Sequence, residues 1–216
     1  IDLFKDVFDY RVGSEVIGCT LSHHNLYKDL LKLKKTSDYH LIVEDDCIPI
    51  ATSDEVKGII DAVKNTPFDV LILGYSKTDE NEYKIINKMN PFKKIYISRK
   101  YNIGIRYKET SCGAVAYVVS SDFLKKITTT ILKPYYVADE WSFFKNKLKT
   151  LILHVKPLCF LEDYKNMDSS LEKNRIIVNK KQKRLPFFIR PIWRQVYSFF
   201  VRILFFIELF FRNKKN

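Results

Sequence analysis

Apolar residues in this chain cluster in short continuous runs, separated by stretches in which apolar and polar residues alternate at helical spacing. Continuous runs of this length are typical of strands that are buried on both faces. Four such strands are predicted, in 41–46 (LIVEDD), 68–75 (FDVLILGY), 112–120 (CGAVAYVVS) and 151–160 (LILHVKPLCF). A buried sheet is therefore expected at the centre of the fold.

The stretches between these runs predict helices. In residues 20–35, leucines recur every three or four positions, Thr20 or Ser22 can cap the start, and lysines collect at the end. Further helices are predicted in 51–65, 121–129 and 137–148. Strands that alternate with helices indicate an α/β fold with a largely parallel sheet, and such sheets bind ligands at the carboxyl ends of their strands. Residues 76–111 are polar and irregular, which predicts short strands and a mobile loop.

The composition changes at about residue 180, where a tail begins that mixes aromatic and aliphatic residues with Arg and Lys. Its charge-free apolar stretches are far shorter than the roughly 20 residues that cross a bilayer. A helix of this composition fits the headgroup region of an anionic membrane. The alternative is a last helix packed on the core or on a second subunit.

The charge balance narrows the class of partner. The chain has 37 Lys and Arg against 25 Asp and Glu, a formal net charge of +12, which favours an anionic partner. Nucleic acid is not expected, because the basic residues concentrate in the apolar tail rather than along a stripe of the α/β core. The cysteines form no C-x-x-C pair, which disfavours a zinc site and a disulfide framework and indicates a reducing compartment.

Three consecutive carboxylates, Glu44, Asp45 and Asp46, follow the strand in 41–46. If strand geometry continues, Glu44 and Asp46 point to one face and Asp45 to the other, with about 6–7 Å between the Cα atoms of the pair. Two carboxylates on one face can share a divalent cation, and oxygen ligands favour Mg²⁺ or Mn²⁺. A solvated loop whose acids cap the next helix is the alternative, and the acids alone leave both open.

Five segments resemble glycosyltransferase family 25, the lipopolysaccharide-type glycosyltransferases of bacteria. They run in order through residues 18–141: GCTLSHHNLYKDLL, LIVEDDCIPI, DVLILGY, CGAVAYVVS and VADEW. The resemblance implies a GT-A-like fold, a Rossmann-type and mostly parallel α/β sheet flanked by helices. It predicts a glycosyltransferase domain in 1–179 and a basic, amphipathic, membrane-associating tail in 180–216. It also implies an opening hydrophobic strand and an arginine-bearing segment that helps bind the nucleotide, and IDLFKDVFDYR, residues 1–11, shows no such strand.

The resemblance gives roles to the acids and to the Ser-His pair. Glu44 and Asp46 would hold Mn²⁺ or Mg²⁺, and Glu44 and Asp45 would lie at the diphosphate of a UDP-sugar. Ser22 and His23 match the family's pair at the start of its helix, where free backbone N–H groups and His23 could contact phosphate or sugar. An ordinary capping or surface histidine is the alternative for His23. His24 has no counterpart.

The later motifs imply the catalytic residues. Asp139 and Glu140 match an acidic pair before a helix, and one of them would take the proton of the acceptor hydroxyl, with Asp139 preferred. An N-cap is the competing interpretation. Gly113 and Ala114 would let the backbone approach a sugar, while Tyr117 is expected in the core.

The function that the resemblance implies is metal-dependent transfer of a hexose, galactose by preference, from a UDP-sugar to a lipooligosaccharide or lipopolysaccharide, with inversion. The enzyme is expected in the cytoplasm, on the inner face of the bacterial inner membrane, with a homodimer possible. The alternative is an inactive membrane-bound accessory or remnant protein of the same fold. His154, in the last predicted strand, is a metal ligand in some GT-A enzymes, but a hydrogen-bonded strand histidine is the expectation here.

Overall fold

The structure of the protein is a computed structural model. It describes residues 13–33, 37–76, 83, 87, 90–107, 109, 113–163 and 189–213, and in the last helix the side chains of 195–207 and 210. The predicted opening segment of the domain therefore lies outside the described residues.

The helices follow the amphipathic stretches closely, except at the start of the first. They are α1 (Ser14–Leu31), α2 (Ser53–Val63), α3 (Ser121–Thr130), α4 (Trp141–Lys147) and α5 (Ile189–Asn213). Thr52 begins α2 with a capping box to Glu55, and the Ser120 side chain accepts from the Phe123 N–H at the start of α3. The prediction that α1 starts at Thr20 or Ser22 is wrong. The helix begins beyond Gly13, because SEVIGC continues the helical pattern without a break.

The strands form one mixed sheet. They are β1 (Tyr39–Val43), β2 (Cys47–Pro49), β3 (Val70–Gly74), β4 (Phe92–Ser98), β5 (Tyr101–Arg106), β6 (Ala116–Ser120), β7 (Ile152–Lys156) and β8 (Phe160–Glu162). The spatial order is β1-β6-β3-β7-β5-β4, and β8 joins β2 to β3. The short strands predicted within 76–111 are β4 and β5, while the predicted mobile loop lies mostly outside the described residues.

The expectation of a mostly parallel, Rossmann-type sheet is wrong, although a mixed α/β fold is confirmed. Only β3 with β7 and β3 with β8 are parallel among the described pairings, and the others are antiparallel. The reason lies in the connections. Strands β4 and β5 form a hairpin, and β6 inserts between β1 and β3 in the opposite direction, so no helical crossover links those neighbours.

Despite the antiparallel pairing, three strands still end at one edge of the sheet, the edge where ligand binding is predicted. Strand β6 is antiparallel to both β1 and β3, and β3 is parallel to β7, so β1, β3 and β7 end at the same edge. Ala116, which starts β6, pairs with Val43 at the end of β1 and with Gly74 at the end of β3. We call this the acidic edge, because Glu44–Asp46 follow β1 there.

Two apolar layers cover the sheet. One contains Tyr27, Tyr117, Phe123 and Trp141 and lies under α1, α3 and α4, while the other lies under α2. Strands β3 and β6 are buried on both faces, which explains their continuous apolar runs. Strand β1 was also predicted to be buried, and that is wrong. It has one neighbour, β6, in the path of the sheet, and Leu41 and Val43 are 47% and 48% exposed.

Among the described side chains of helix α5, those that pack on the rest of the protein lie on one narrow face. Ser198, Val201 and Phe205 are buried, and the Phe205 ring lies 5.4 Å from that of Tyr107. Large apolar side chains elsewhere on the helix are exposed: Val196, Phe199, Phe200, Ile203, Leu204, Phe206, Ile207 and Phe210. Within the described ranges, no helix is both long enough and apolar enough to cross a bilayer.

Candidate active site

The three acids lie in a tight turn and not on a strand. Strand β1 ends at Val43, the Glu44 N–H donates to Val115 O at 2.9 Å, and the Cys47 N–H donates back to Glu44 O at 3.2 Å. The expected alternation of side chains between two faces is therefore wrong, because the backbone reverses where the acids occur. The capping interpretation is also wrong, since Thr52 caps the next helix.

Asp46 is the unsatisfied member of the turn. Its Oδ1 is buried and has no hydrogen-bond partner among the described residues. Burial raises the pKa of Asp46, and the nearby charges of Glu44 and Asp45 raise it further. A buried oxygen without a donor, in a turn crowded with negative charge, is chemically suited to an oxygen-liganded divalent cation. The turn therefore fits the cation that the family resemblance implies.

His23 lies inside α1, more than two turns from the helix start, and points toward the acidic edge. Its Nδ1 is 2.7 Å from the Tyr117 hydroxyl, and its Nε2 is 3.8 Å from Glu44 Oε1. Burial opposes a charge on His23, yet the neighbouring Cys19 thiol and Glu44 carboxylate raise the pKa of His23 to about 9. His23 is thus neither a cap nor a surface histidine. The expectation that free backbone N–H groups at Ser22 and His23 contact a ligand is wrong. Only the first turn of a helix leaves backbone N–H groups unpaired, and both residues lie beyond that turn.

Cys19 is the residue of this site that the sequence analysis did not single out. It precedes His23 by four residues on α1, so the two side chains share a helical face. One ligand atom each from Cys19, His23 and Glu44 all lie within 4.8 Å of one another. The spacing Cys-x-x-x-His, within a segment already predicted to be helical, is the signal that could have revealed it. We refer to Cys19, His23, Glu44 and Tyr117 as the His23 cluster.

Gly113 lies beside the start of β6 at the same edge. Its φ of 105°, in the left-handed region, suits glycine, and a Cβ there would meet Ser76 N at 2.1 Å. Its carbonyl accepts from Trp141 Nε1 at 3.1 Å. The backbone of Gly113 therefore lies close to Ser76, and its predicted approach to a sugar stays a prediction. Ala114 next to it is buried, and Tyr117 is fully buried as expected.

Asp139 and Glu140 directly precede α4 and are both partly exposed. Glu140 occupies the N-cap position without a side-chain capping bond, and its carboxylate accepts from the Ser142 hydroxyl. Trp141 packs edge-on against Tyr117 at 5.1 Å between ring centroids. Trp141 therefore links the acid pair to both Gly113 and the His23 cluster. The competing capping role is contradicted, because Asp139 is not at the N-cap and Glu140 does not cap with its side chain.

Comparison with known families identifies the chain. The model of glycosyltransferase family 25 (LPS biosynthesis protein) matches residues 3–141. The chain belongs to glycosyltransferase family 25. No curated protein matches this family member. The matched range contains every residue that the resemblance assigned to the site, whereas β7, β8 and α5 lie beyond it.

A second histidine of this family 25 glycosyltransferase, His154 on β7, is sealed in the core. Its Nδ1 lies 2.7 Å from the Tyr75 hydroxyl and its Nε2 lies 2.9 Å from Glu109 Oε2. Arg106 Nε also donates to the Tyr75 hydroxyl, at 2.9 Å. We call these four residues the His154 cluster. The expectation of a hydrogen-bonded strand histidine is confirmed. His24, which packs against Tyr136, is also buried.

A cleft of about 530 Å³ opens at the opposite edge of the sheet, where β1, β3 and β7 begin. Two of the three acids along it, Asp69 and Asp122, serve local structure. Asp69 Oδ2 accepts from the Leu151 N–H at 2.8 Å, and Asp122 pairs with Lys125 at 3.2 Å. In contrast, Asp46 Oδ1, the buried carboxylate oxygen without a hydrogen-bond partner among the described residues, lies at the acidic edge.

Proposed function

We propose that this glycosyltransferase transfers a hexose, galactose by preference, from a UDP-sugar to a lipooligosaccharide or lipopolysaccharide acceptor. The observation that carries the proposal is the convergence of three family motifs at the acidic edge. The acidic turn, the Gly113 segment and the acid pair before α4 come from positions almost a hundred residues apart. The hydrogen bond from Trp141 to Gly113 and the packing of Trp141 on Tyr117 hold them together.

The donor is proposed to bind over the turn. Glu44 and Asp46 would hold Mn²⁺ or Mg²⁺, and Asp46 Oδ1 has the unsatisfied oxygen that such an ion requires. Glu44 and Asp45 would lie beside the diphosphate. The bound ion would offset the charge that develops on the leaving diphosphate. Ser22, exposed on α1, and neighbouring His23 would contact phosphate or sugar, and Gly113 and Ala114 would line the sugar subsite.

Asp139 is proposed as the general base, with Glu140 as the second candidate. As the acceptor oxygen bonds to the anomeric carbon, Asp139 takes the hydroxyl proton and the bond from that carbon to the diphosphate breaks, with inversion. The Glu140 carboxylate accepts from the Ser142 hydroxyl. Asp139 is partly exposed, as a group that meets an acceptor must be.

The test is transfer of labelled galactose from UDP-galactose to lipooligosaccharide by the whole chain with Mn²⁺. Asp139→Asn keeps the shape but removes the base, so transfer should fall by about 10²–10⁴-fold while UDP binding persists. Asp122→Asn, an exposed acid at the start of α3, is the matched control and should keep wild-type transfer. Wild-type protein that binds UDP but transfers nothing would support the alternative, a non-catalytic accessory or remnant protein.

The exposed face of α5 is proposed to bind an anionic membrane surface, which would place the enzyme where a glycolipid acceptor is built, at the inner face of the inner membrane. Phe199 and Phe206 are 63% and 67% exposed, and the tail is rich in Arg and Lys. Apolar side chains together with positive charge match a headgroup region better than they match a second copy of the same basic helix.

Flotation with vesicles that contain acidic lipid tests this attachment. Replacing both Phe199 and Phe206 by Ser should weaken vesicle binding by at least about tenfold, because each Phe contributes about 1.5–3 kcal/mol when buried. Leu132→Ser is the control, since Leu132 is 77% exposed but lies outside the tail. Unchanged flotation, together with conversion of a dimer to a monomer, would assign this face to a homodimer instead.

A further inference from the structure

Three side chains of different chemistry converge between α1 and the acidic turn. Cys19 and His23 lie one helical turn apart, and Glu44 meets them from the end of β1. The Cys sulfur, a His ring nitrogen and a carboxylate oxygen all lie within 4.8 Å of one another. The ligand atoms around a tetrahedral Zn²⁺, with bonds of about 2.0–2.3 Å, are about 3.3–3.8 Å apart. A small closing movement of these side chains would therefore suffice to enclose an ion.

The surroundings of His23 also suit a metal ligand. A metal-bound histidine usually gives its second ring N–H to an oxygen, which fixes the tautomer and the ring orientation. Here Nδ1 lies 2.7 Å from the Tyr117 hydroxyl, which is itself 2.8 Å from the Tyr27 hydroxyl. Both tyrosines are fully buried and so hold the ring in place. Nε2 is left facing Glu44 Oε1 at 3.8 Å.

We propose that Cys19, His23 and Glu44 bind a thiophilic divalent cation of the Zn²⁺ type. A thiolate and an imidazole favour such a cation over Mg²⁺ or Mn²⁺, which prefer oxygen ligands. This site shares Glu44 and His23 with the nucleotide site proposed above but differs from it in its sulfur and nitrogen ligands, so in the metal-bound state His23 holds the ion instead of contacting phosphate or sugar. Metal binding here needs neither nucleotide nor acceptor. Cys19 is partly exposed, so an ion can enter from solvent. When bound, the cation ties α1 to the turn that carries Asp45 and Asp46.

Co²⁺ is the probe, because a cobalt–thiolate bond gives a charge-transfer absorption band that nitrogen and oxygen ligands do not. The whole chain, first stripped with chelator, should take up one equivalent of Co²⁺ with this band, and Zn²⁺ should abolish it. Cys19→Ser should lose the band, and His23→Asn should weaken Co²⁺ binding by at least about tenfold. Cys47→Ser, which removes another partly exposed thiol, is the control and should keep the band.

Two further variants separate this site from its neighbours. Tyr117→Phe retains all three ligands and should lower Zn²⁺ affinity by about 10–100-fold through loss of the bond to Nδ1. Asp46→Asn should keep the band even where it abolishes UDP binding, so a failure of the proposed function would not be confused with a failure of this site. No band in the wild-type protein, or a band that survives in Cys19→Ser, would overturn the proposal.

Discussion

The His23 cluster and the His154 cluster share a sheet and similar side chains, yet they differ in access to solvent. Both pair a histidine with a tyrosine hydroxyl and a glutamate. The Glu44 side chain is 27% exposed, whereas the Glu109 side chain is 2% exposed and its histidine is fully buried. The ring nitrogens of His154 each have a partner at hydrogen-bond distance, while Nε2 of His23 faces Glu44 at 3.8 Å.

The electrostatics of the two histidines also differ. Burial lowers the pKa of His154, although the neighbouring Glu109 works against this, whereas the pKa of His23 is raised to about 9. Burial thus disfavours a positive charge on His154, whereas the thiol and carboxylate beside His23 favour positive charge at that edge, on the ring or on a bound cation. We infer that the His154 cluster supports the fold and that the His23 cluster serves the site.

The largest effect on stability is expected from Arg106→Met, which removes the cation of the His154 cluster. Arg106 is 2% exposed, donates to Tyr75 and to Asn90 O, and lies over the Tyr75 ring. Its loss leaves the Tyr75 hydroxyl and the Asn90 carbonyl without a buried donor, so the free energy of unfolding should fall by about 3–5 kcal/mol.

Chemical denaturation measures that loss. Lys94→Met, on the neighbouring strand β4, replaces an exposed cation and should change the free energy of unfolding by less than about 0.5 kcal/mol. If Arg106→Met lowered the free energy of unfolding no more than Lys94→Met does, the His154 cluster would not be the one that supports the fold.

A smaller effect on the free energy of unfolding is expected when the pH is lowered and His154 is protonated in the unfolded chain. The unfolded chain binds a proton at this residue near pH 6.5, but the folded protein resists it because the pKa of His154 is lowered. Its contribution to stability is therefore complete above the unfolded pKa and is lost as the pH falls below about 6.5. In His154→Gln, the dependence of the free energy of unfolding on pH between 7.5 and 5 should be shallower by up to about 1.4 kcal/mol per pH unit. Equal slopes in both proteins would show that His154 protonates as easily in the folded state.

The sequence located the segments of the candidate site better than it predicted the pairing of the strands. The order of motifs located the acidic turn, the Gly113 segment and the acid pair, and the apolar runs located β3, β6 and β7. The run in 41–46 was misjudged as buried because the position of a strand in the sheet depends on pairings between distant segments. Alternating helices and strands also suggested parallel pairing, whereas β6 enters between β1 and β3 from the opposite direction.

Cys19 shows why part of the site could not be predicted. No other cysteine is paired with it in the sequence, and only the fold brings its sulfur within 4.8 Å of a Glu44 carboxylate oxygen. Similarly, the buried state of Asp46 Oδ1 depends on its surroundings in the turn, where the Asp46 carbonyl accepts the Asp163 N–H at 2.9 Å. Three acids in a row indicate a cation site, but only tertiary contacts determine which oxygen lacks a donor.

The most direct test of the central claim is calorimetric titration of UDP into the whole protein with and without Mn²⁺. The acidic edge is proposed to bind a nucleotide diphosphate through a cation at Glu44 and Asp46. UDP should therefore bind the wild-type protein only with Mn²⁺, and Asp46→Asn should abolish that binding without unfolding the protein, since it also removes a crowded negative charge. UDP binding that is independent of Mn²⁺, or that is unchanged in Asp46→Asn, would contradict the account.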